Sequence, residues 1–274
     1  MPAVLVTGAS RGIGRAIVSH LSTLGWDVIA GVRRSEDAAV LGSLPRVSAV
    51  RLDVTNSDDL EALDAALPAR LDAVVNNAGI VVGGPMETIG VDELRRQLEV
   101  NVVGQMAVTQ AVLPRLRASR GRIVFISSVN GRISTPLLGA YCASKFALEA
   151  AADALRMELR PWHIGVHVVE PAQTDTDLWE NAEQTADDLE AAMSAEQRVL
   201  YAKHVAGFRK MIPLSRRIAV PVDNVAKVVE EALTAKRPHA RYPVGLSPAV
   251  QMAVLNRLPS SVSDVLVRKV LGQP

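Results

Sequence analysis

The feature that most constrains this chain is a rhythm: short runs of β-branched and aliphatic residues recur with room for one helix between them. The runs are Ala3 to Thr7, Asp27 to Val32, Val47 to Asp53, Asp72 to Asn76, Arg122 to Ser127 and Ile164 to Glu170. Runs that stay apolar instead of alternating suit parallel strands covered on both faces. Between the first two, Ile13, Ile17, Leu21 and Leu24 fall at spacings of four, four and three and stop at Gly25, which predicts an amphipathic crossover helix. Repetition of the unit predicts an α/β fold with an open, doubly wound parallel sheet of about seven strands, whose ligands sit beyond the carboxyl ends of the strands. Functional residues are therefore expected to follow strands.

Composition agrees. Only 3% of the 274 residues are aromatic, so the interior must be filled by Ala, Val, Leu and Ile, which pack closely between helix and sheet. A net charge of +1 argues against a nucleic-acid partner, which needs a concentrated excess of Lys and Arg. The single cysteine, Cys142, excludes a disulfide framework and fits a reducing compartment, so the cytoplasm is the expected location. His20, His163, His167, His204 and His239 show no metal-ligand spacing, and no metal site is expected. The sequence enters a strand almost at once, without a secretory leader, and holds no apolar run long enough to span a bilayer.

No repeat or linker interrupts the chain, so residues 1–274 are read as one domain. Beyond Pro171 the rhythm breaks into a polar, helix-favouring stretch, roughly Glu183 to Met211, with Leu189, Met193, Leu200 and Phe208 as its apolar positions. This marks a helical insertion over about 177–215, placed to cover a site. A helix from Asp223 to Ala235 and a strand near Arg241 to Val244 follow. The tail over about 245–274 is expected to be helical: Ser247-Pro248 opens one helix, and Ser261 with Asp264 forms a capping box for another. Val250, Val254 and Leu258, then Val262, Leu266 and Val270, give it apolar stripes, and Lys236, Arg237, Arg241, Arg257, Arg268 and Lys269 outnumber Asp264. Such a tail suits a cap on the domain, a subunit contact, or a peripheral contact with a membrane surface.

After the first strand comes Gly8-Ala9-Ser10-Arg11-Gly12-Ile13-Gly14. Glycines there permit positive φ and close backbone approach, and the following helix N-terminus offers unpaired N–H groups to a pyrophosphate. The spacing GxxxGxG differs from the usual GxGxxG dinucleotide fingerprint. Asn76-Asn-Ala-Gly79 closes the fourth run, Ser128 follows the fifth, and Tyr141-Cys-Ala-Ser-Lys145 opens a helix 13 residues later. Together these motifs, in this order over about Val4 to Thr176, resemble the short-chain dehydrogenase/reductase superfamily and imply its Rossmann-type fold. The helix from Tyr141 to Arg160, Val168-Val-Glu-Pro171 and the tail after Tyr242-Pro-Val are similar to the retinol, hydroxysteroid and 3-hydroxybutyrate dehydrogenase branch.

The resemblance implies a nicotinamide coenzyme held by Gly8, Ser10, Arg11, Gly12, Ile13, Gly14, Arg33, Asp53, Val54, Asn77, Ala78, Gly79, Tyr141, Lys145, Pro171, Thr174 and Thr176. An acid at the end of the second strand would bond the ribose 2′-hydroxyl of NAD, whereas basic residues pair with the 2′-phosphate of NADP. Here the strand ends Ala30-Gly31-Val32-Arg33-Arg34, and Arg11 lies in the glycine loop, so NADP(H) is the preferred coenzyme and NAD(H) the alternative. Asp53 resembles the residue that contacts the adenine amino group; capping the turn into Thr55 to Leu67 is its other reading. Ala172 stands where the family usually has glycine.

Tyr141 and Lys145, four apart on one helix, turn the same face to one site. A tyrosine of pKa about 10 exchanges protons poorly near neutrality, and an adjacent ammonium is expected to lower that value. By resemblance, Tyr141 protonates a carbonyl oxygen in reduction or accepts the hydroxyl proton in oxidation, while hydride passes to or from the nicotinamide, and Lys145 also holds the ribose hydroxyls. Ser128 is the implied donor to the substrate oxygen, with Ser127 structural. Asn101 is implied to hold a water linking the lysine to solvent, a role compatible with a helix N-cap. Cys142, with no histidine in its motif, is read as a packed thiol.

The sequence thus favours an NADP(H)-dependent oxidoreductase that interconverts an alcohol and its carbonyl on a lipophilic, retinoid-, steroid- or acyl-like substrate, as a homodimer or homotetramer. The alternatives are an NAD-dependent dehydrogenase of a small hydroxy acid and a coenzyme-sensing protein without catalysis. The glycine spacing and short C-terminal part argue against a sugar-nucleotide epimerase. An intact Asn101, Ser128, Tyr141 and Lys145 set argues against a mere sensor.

Overall fold

A computed structural model describes residues 1–175, 182–245 and 258–274. Seven parallel strands form one sheet in the order β3-β2-β1-β4-β5-β6-β7. They are β1 (Ala3–Thr7), β2 (Asp27–Val32), β3 (Val47–Arg51), β4 (Ala73–Asn76), β5 (Arg122–Ile126), β6 (Gly165–Pro171) and β7 (Arg241–Val244). The order reverses between β1 and β4, the point where crossover helices leave to opposite faces and open a crevice. This is the Rossmann-type arrangement the sequence rhythm predicts.

Residues of one strand alternate between two cores because successive side chains point to opposite faces. From β1, Val4 and Val6 join the cluster containing Ile17, Val18 and Leu21 of α1 (Gly12–Thr23) and Val225, Val229 and Leu233 of α9 (Val222–Thr234). Ala3 and Leu5 join the other cluster, with Leu63 of α3 (Ser57–Ala66), Val108, Val112 and Leu116 of α5 (Gly104–Ser119), and Leu148 and Ala152 of α6 (Gly139–Glu158). Each of the larger aliphatic side chains contributes about 2 kcal/mol of burial, which fastens the helices over the strand ends. The remaining α-helices among the described residues are α2 (Ser35–Gly42), α4 (Val91–Leu98), α7 (Ala182–Ala191), α8 (Ala195–Ile218) and α10 (Ser260–Val270).

Several local expectations need correction. Asp53 closes the turn into Thr55, its Oδ1 accepting from the Thr55 amide at 3.0 Å and the Thr55 hydroxyl at 2.8 Å, but the N-cap of α3 itself is Asn56, which accepts from the Asp59 amide at 2.9 Å. Asn101 is not an N-cap. It lies in the middle of a π-helical turn, Glu99–Val103, that joins α4 to α5 and turns its amide into the interior. Among the described residues the insertion holds two helices, because Ser194 and Gln197 form a reciprocal capping box that starts α8 anew. In the tail, Pro259 precedes α10 with no side-chain cap, so the Ser261–Asp264 box does not form. Helix α10 buries none of its residues. The helix expected from Ser247-Pro248 and Thr176 lie outside the described residues.

Candidate active site

The crevice at the β1/β4 switch is a cavity of about 820 Å³. Its lining includes Gly8, Ser10, Arg11, Gly12, Ile13, Gly14, Arg33, Asp53, Val54, Asn77, Ala78, Gly79, Tyr141 and Lys145, all singled out in the sequence. Two glycines make its floor. Gly8 has φ +61°, and a Cβ there would lie 2.8 Å from Ala78 Cα; a Cβ on Gly14 would lie 2.2 Å from the Gly8 carbonyl oxygen. The bare backbone therefore meets the first turn of α1, where Gly12, Ile13 and Gly14 face the cavity with amides that have no partner within the helix. This is an anion cradle, and it fits a dinucleotide pyrophosphate. Asn77 closes the far wall: its Nδ2 donates to the carbonyls of Thr7 at 3.0 Å and Gly8 at 3.1 Å, fixing the turn after β4 to the turn after β1.

At the mouth, Arg33 is exposed at the end of β2, and its charge, with that of Arg51 and the two Thr55 bonds, lowers the Asp53 pKa although partial burial, the largest single influence, acts the other way. Lining residues that sequence reasoning missed include Gly31, Leu52, Ile80, Arg96, Glu99 and Ile126. Only their neighbours in space bring them there, so periodicity carried no signal for them.

A second cavity of about 290 Å³ adjoins the first. Pro171, Thr174 and Ser128 line it, with an apolar majority that includes Leu137, Leu138, Leu189, Phe208, Met211 and Leu271. Tyr141 and Ser127 line both cavities. Ser127, expected to be structural, has a buried hydroxyl with no hydrogen-bond partner and faces the cavities.

Tyr141 lines the second cavity together with Ser128, whose oxygen accepts from the Asn130 amide at 3.1 Å. Burial dominates the titration of the phenol, which is pushed up to about 12, against the neighbouring Ser128 hydroxyl, which lowers it, and with a smaller upward push from Cys142. Lys145 stands one turn below, its Nζ 5.7 Å from the Tyr141 ring centroid and donating to the Ile126 carbonyl at 2.7 Å. Burial pushes this amine down to about 8, opposed by the charge of Glu149. The expectation that the ammonium lowers the tyrosine is thus not met by the pair alone. Both groups are withdrawn from water, and desolvation disfavours phenolate and ammonium alike.

Asn101 lines neither cavity. Its Oδ1 accepts from the Ile80 amide at 2.8 Å while its Nδ2 donates to the Ile80 carbonyl at 3.0 Å and to Ser144 Oγ at 3.1 Å. Ser144 in turn donates to the Tyr141 carbonyl at 2.7 Å. Asn101 therefore ties the turn after β4 to the helix that carries Tyr141 and Lys145. Gln97, fully buried and missed by sequence reasoning, repeats the clamp by accepting from the Val82 amide at 2.6 Å and donating to the Ile80 carbonyl at 2.9 Å.

A phosphate cradle at a sheet switch point, beside buried Ser128 and Lys145 and a half-buried Tyr141, defines a class: nucleotide-binding α/β oxidoreductases. A family model described as short chain dehydrogenase matches residues 2–187, and the chain belongs to that family of oxidoreductases. It is 32% identical to an NADPH-dependent 3-dehydrocapnine reductase of Ornithobacterium rhinotracheale, covering 97% of this chain and 95% of that one. It is 32% identical to retinol dehydrogenase 5 of Mus musculus, covering 99% and 89%, in agreement with the branch its motifs resemble. Among solved structures, a short-chain dehydrogenase from Streptomyces avermitilis superposes with a TM-score of 0.79 at 30% identity, covering 98% of this chain and 96% of that one.

Proposed function

We propose that this chain is an NADP(H)-dependent oxidoreductase that interconverts an alcohol and its carbonyl on a lipophilic substrate. The observation that carries the reading is the position of Tyr141, which lines both the cradle cavity and the apolar pocket, sharing the latter with Ser128. A bound nicotinamide supplies or accepts the hydride. Tyr141 then holds the proton that moves to or from the substrate oxygen, Ser128 donates to that oxygen, and Lys145 orients the ribose and steadies phenolate as negative charge develops. Asn101 keeps the helix bearing both groups in register through Ile80 and Ser144.

NADP(H) selection is supported by Arg33 at the cavity mouth and by the lack of an acid at the end of β2, and one relative of this chain is itself described as NADPH-dependent. Two guanidiniums, Arg33 and Arg11, line the cavity, and such groups pair well with a phosphate dianion. The lipophilic substrate is supported by Leu137, Leu189, Phe208 and Met211 around the second cavity. A retinoid-dehydrogenase relative points the same way. The tail serves this pocket as a cap, since Leu271 and Gln273 line it. A peripheral membrane contact draws its support from Val262, Val265, Leu266 and Val270, exposed on α10 beside Arg268 and Lys269. Among the described residues no helix is long and apolar enough to cross a membrane.

The test is turnover of a panel of short and long-chain ketones, followed at the coenzyme absorbance with NADPH and NADH. Higher catalytic efficiency with NADPH and with the apolar ketones is expected, and Arg33→Glu should move the preference toward NADH. Preference for NADH in the unaltered chain would overturn the coenzyme assignment. Turnover confined to small hydroxy acids would overturn the substrate assignment.

A further inference from the structure

The chemistry above makes no use of a group of buried charges directly behind Lys145. One turn further along α6 lies Glu149, and across from it, on β6, lies Glu170; they are 4% and 2% exposed. The two carboxyls converge on one guanidinium. Arg241 of β7 bridges them, with its Nε 3.1 Å from Glu149 Oε2 and 3.4 Å from Glu170 Oε1, while its Nη2 donates to Asp153 at 2.7 Å. Arg132 stands farther off, 3.8 Å from Glu170 Oε1.

This knot joins the three segments that carry the site. Glu149 shares α6 with Tyr141 and Lys145. Glu170 immediately precedes Pro171, which opens the wall of the apolar pocket. The third segment is the turn from Ser127 to Arg132: a Cβ on Gly131 would lie 2.7 Å from Ser127 Oγ, 3.0 Å from Glu149 Cγ and 3.2 Å from Glu149 Oε1. Ser127 Oγ, Glu149 Oε1 and Glu170 Oε1 are all buried without a hydrogen-bond partner. Two buried carboxyls that share one guanidinium repel strongly when both are ionised, and a proton on one of them relieves that repulsion. Arg241 cannot cancel both charges, since it also serves Asp153.

We propose that Glu149 and Glu170 hold one proton between them, and that this acid pair, clamped by Arg241, positions the catalytic turn Ser127 to Arg132 against Tyr141. Burial, helped by the charge of Glu149, pushes Glu170 up to about 7, so the proton resides on Glu170. The charge of Glu149 favours the ammonium of Lys145. The charged groups facing the pair are Lys145 and Asp153 from α6, Arg132 from the turn and Arg241 from β7; Arg156 is engaged by Asp153. Loss of the proton places a second negative charge against Glu149 and pushes the turn and the end of β6 apart. Because the folded carboxyl titrates above its ordinary value, its contribution to stability is complete below that value and is lost as pH rises through about 7.

The inference rests on the oxidoreductase reading only where activity is measured. Thermal stability, kcat and KM are profiled against pH for the full chain, Glu170→Gln and Arg241→Met. The amide of Glu170→Gln imitates the protonated acid. Wild-type melting temperature should fall as pH rises from 4.5 to about 7 and level off beyond, whereas kcat should fall about tenfold per unit above about 7, with KM little changed. In Glu170→Gln both limbs should vanish while kcat at acid pH stays within about threefold of wild type. In Arg241→Met the midpoint should move upward, because a cation that favours the carboxylate is gone. A wild-type midpoint persisting in Glu170→Gln, or unmoved in Arg241→Met, overturns the proposal. If Glu170→Gln does not fold, Glu149→Gln decides: its midpoint must drop toward the ordinary carboxyl range, and an unchanged midpoint overturns the shared proton. The melting arm needs neither substrate nor coenzyme, so its failure is distinct from failure of the functional assignment.

Discussion

Replacing Lys145 with methionine should destroy turnover and, at neutral pH, make the protein more stable. Methionine keeps the length of the side chain and removes only the amine. That amine is buried, and desolvation moves its pKa from 10.5 to about 8. At about 1.36 kcal/mol per unit, the folded state bears about 3 kcal/mol for keeping the group charged. Against this stands the bond from Nζ to the Ile126 carbonyl, worth about 1 to 2 kcal/mol for a charged donor, which methionine cannot make. Glu149 also loses a neighbour, though Arg241 at 3.1 Å still neutralises it. The balance favours the variant by about 1 to 2 kcal/mol, a rise of a few degrees in melting temperature for a chain of this size. The sign with pH is fixed: the unfolded lysine binds its proton more tightly, so wild type gains stability as pH rises from about 8 towards 10.5. The margin of the variant should therefore shrink over that range. Scanning fluorimetry of both proteins, free of coenzyme, at about pH 7 and about pH 10 measures it. A variant no more stable than wild type at neutral pH, or one whose margin widens at high pH, refutes the reasoning.

Tyr141→Phe keeps the ring and removes the proton carrier, so turnover should fall by about two to four orders of magnitude while coenzyme titration is unchanged; a fully active variant would remove Tyr141 from the chemistry. Gly14→Ala puts a Cβ 2.2 Å from the Gly8 carbonyl oxygen, and neither turn can yield easily, so coenzyme affinity should drop at least about tenfold by calorimetry with a stability loss of about 1 to 3 kcal/mol. Asn56→Ala deletes the acceptor that caps α3 and should cost about 1 kcal/mol in denaturant unfolding with catalysis intact.

How much of this was legible beforehand depends on what each feature rests on. The strand runs and the glycine loop are local patterns, and the structure has strands within two residues of the expected bounds; β3 stops at Arg51 instead of Asp53 because Leu52 and Asp53 turn into the cavity wall. The coenzyme-side lining was readable for the same reason, since residues just past parallel strands must meet at one edge of the sheet. Asn101 was found, but its partner Ile80 lies 21 positions away, so the amide clamp could not be foreseen. The capping box at Ser194 divided an insertion that composition presented as one stretch, and the box at Ser261 failed to form although its spacing was right.

The sequence by itself determined the parallel sheet, the place of the glycine cradle and the residue types at the catalytic positions, because periodicity, turn chemistry and motif order act within a few residues of chain. Tertiary structure alone decided the electrostatics. Burial raised Tyr141 and lowered Lys145, against the simple expectation for an adjacent pair, and contact across α6, β6 and β7 brought Glu149, Glu170 and Arg241 together. A charge's energy depends on the water and the partners around it, and those are set by residues far apart in the chain.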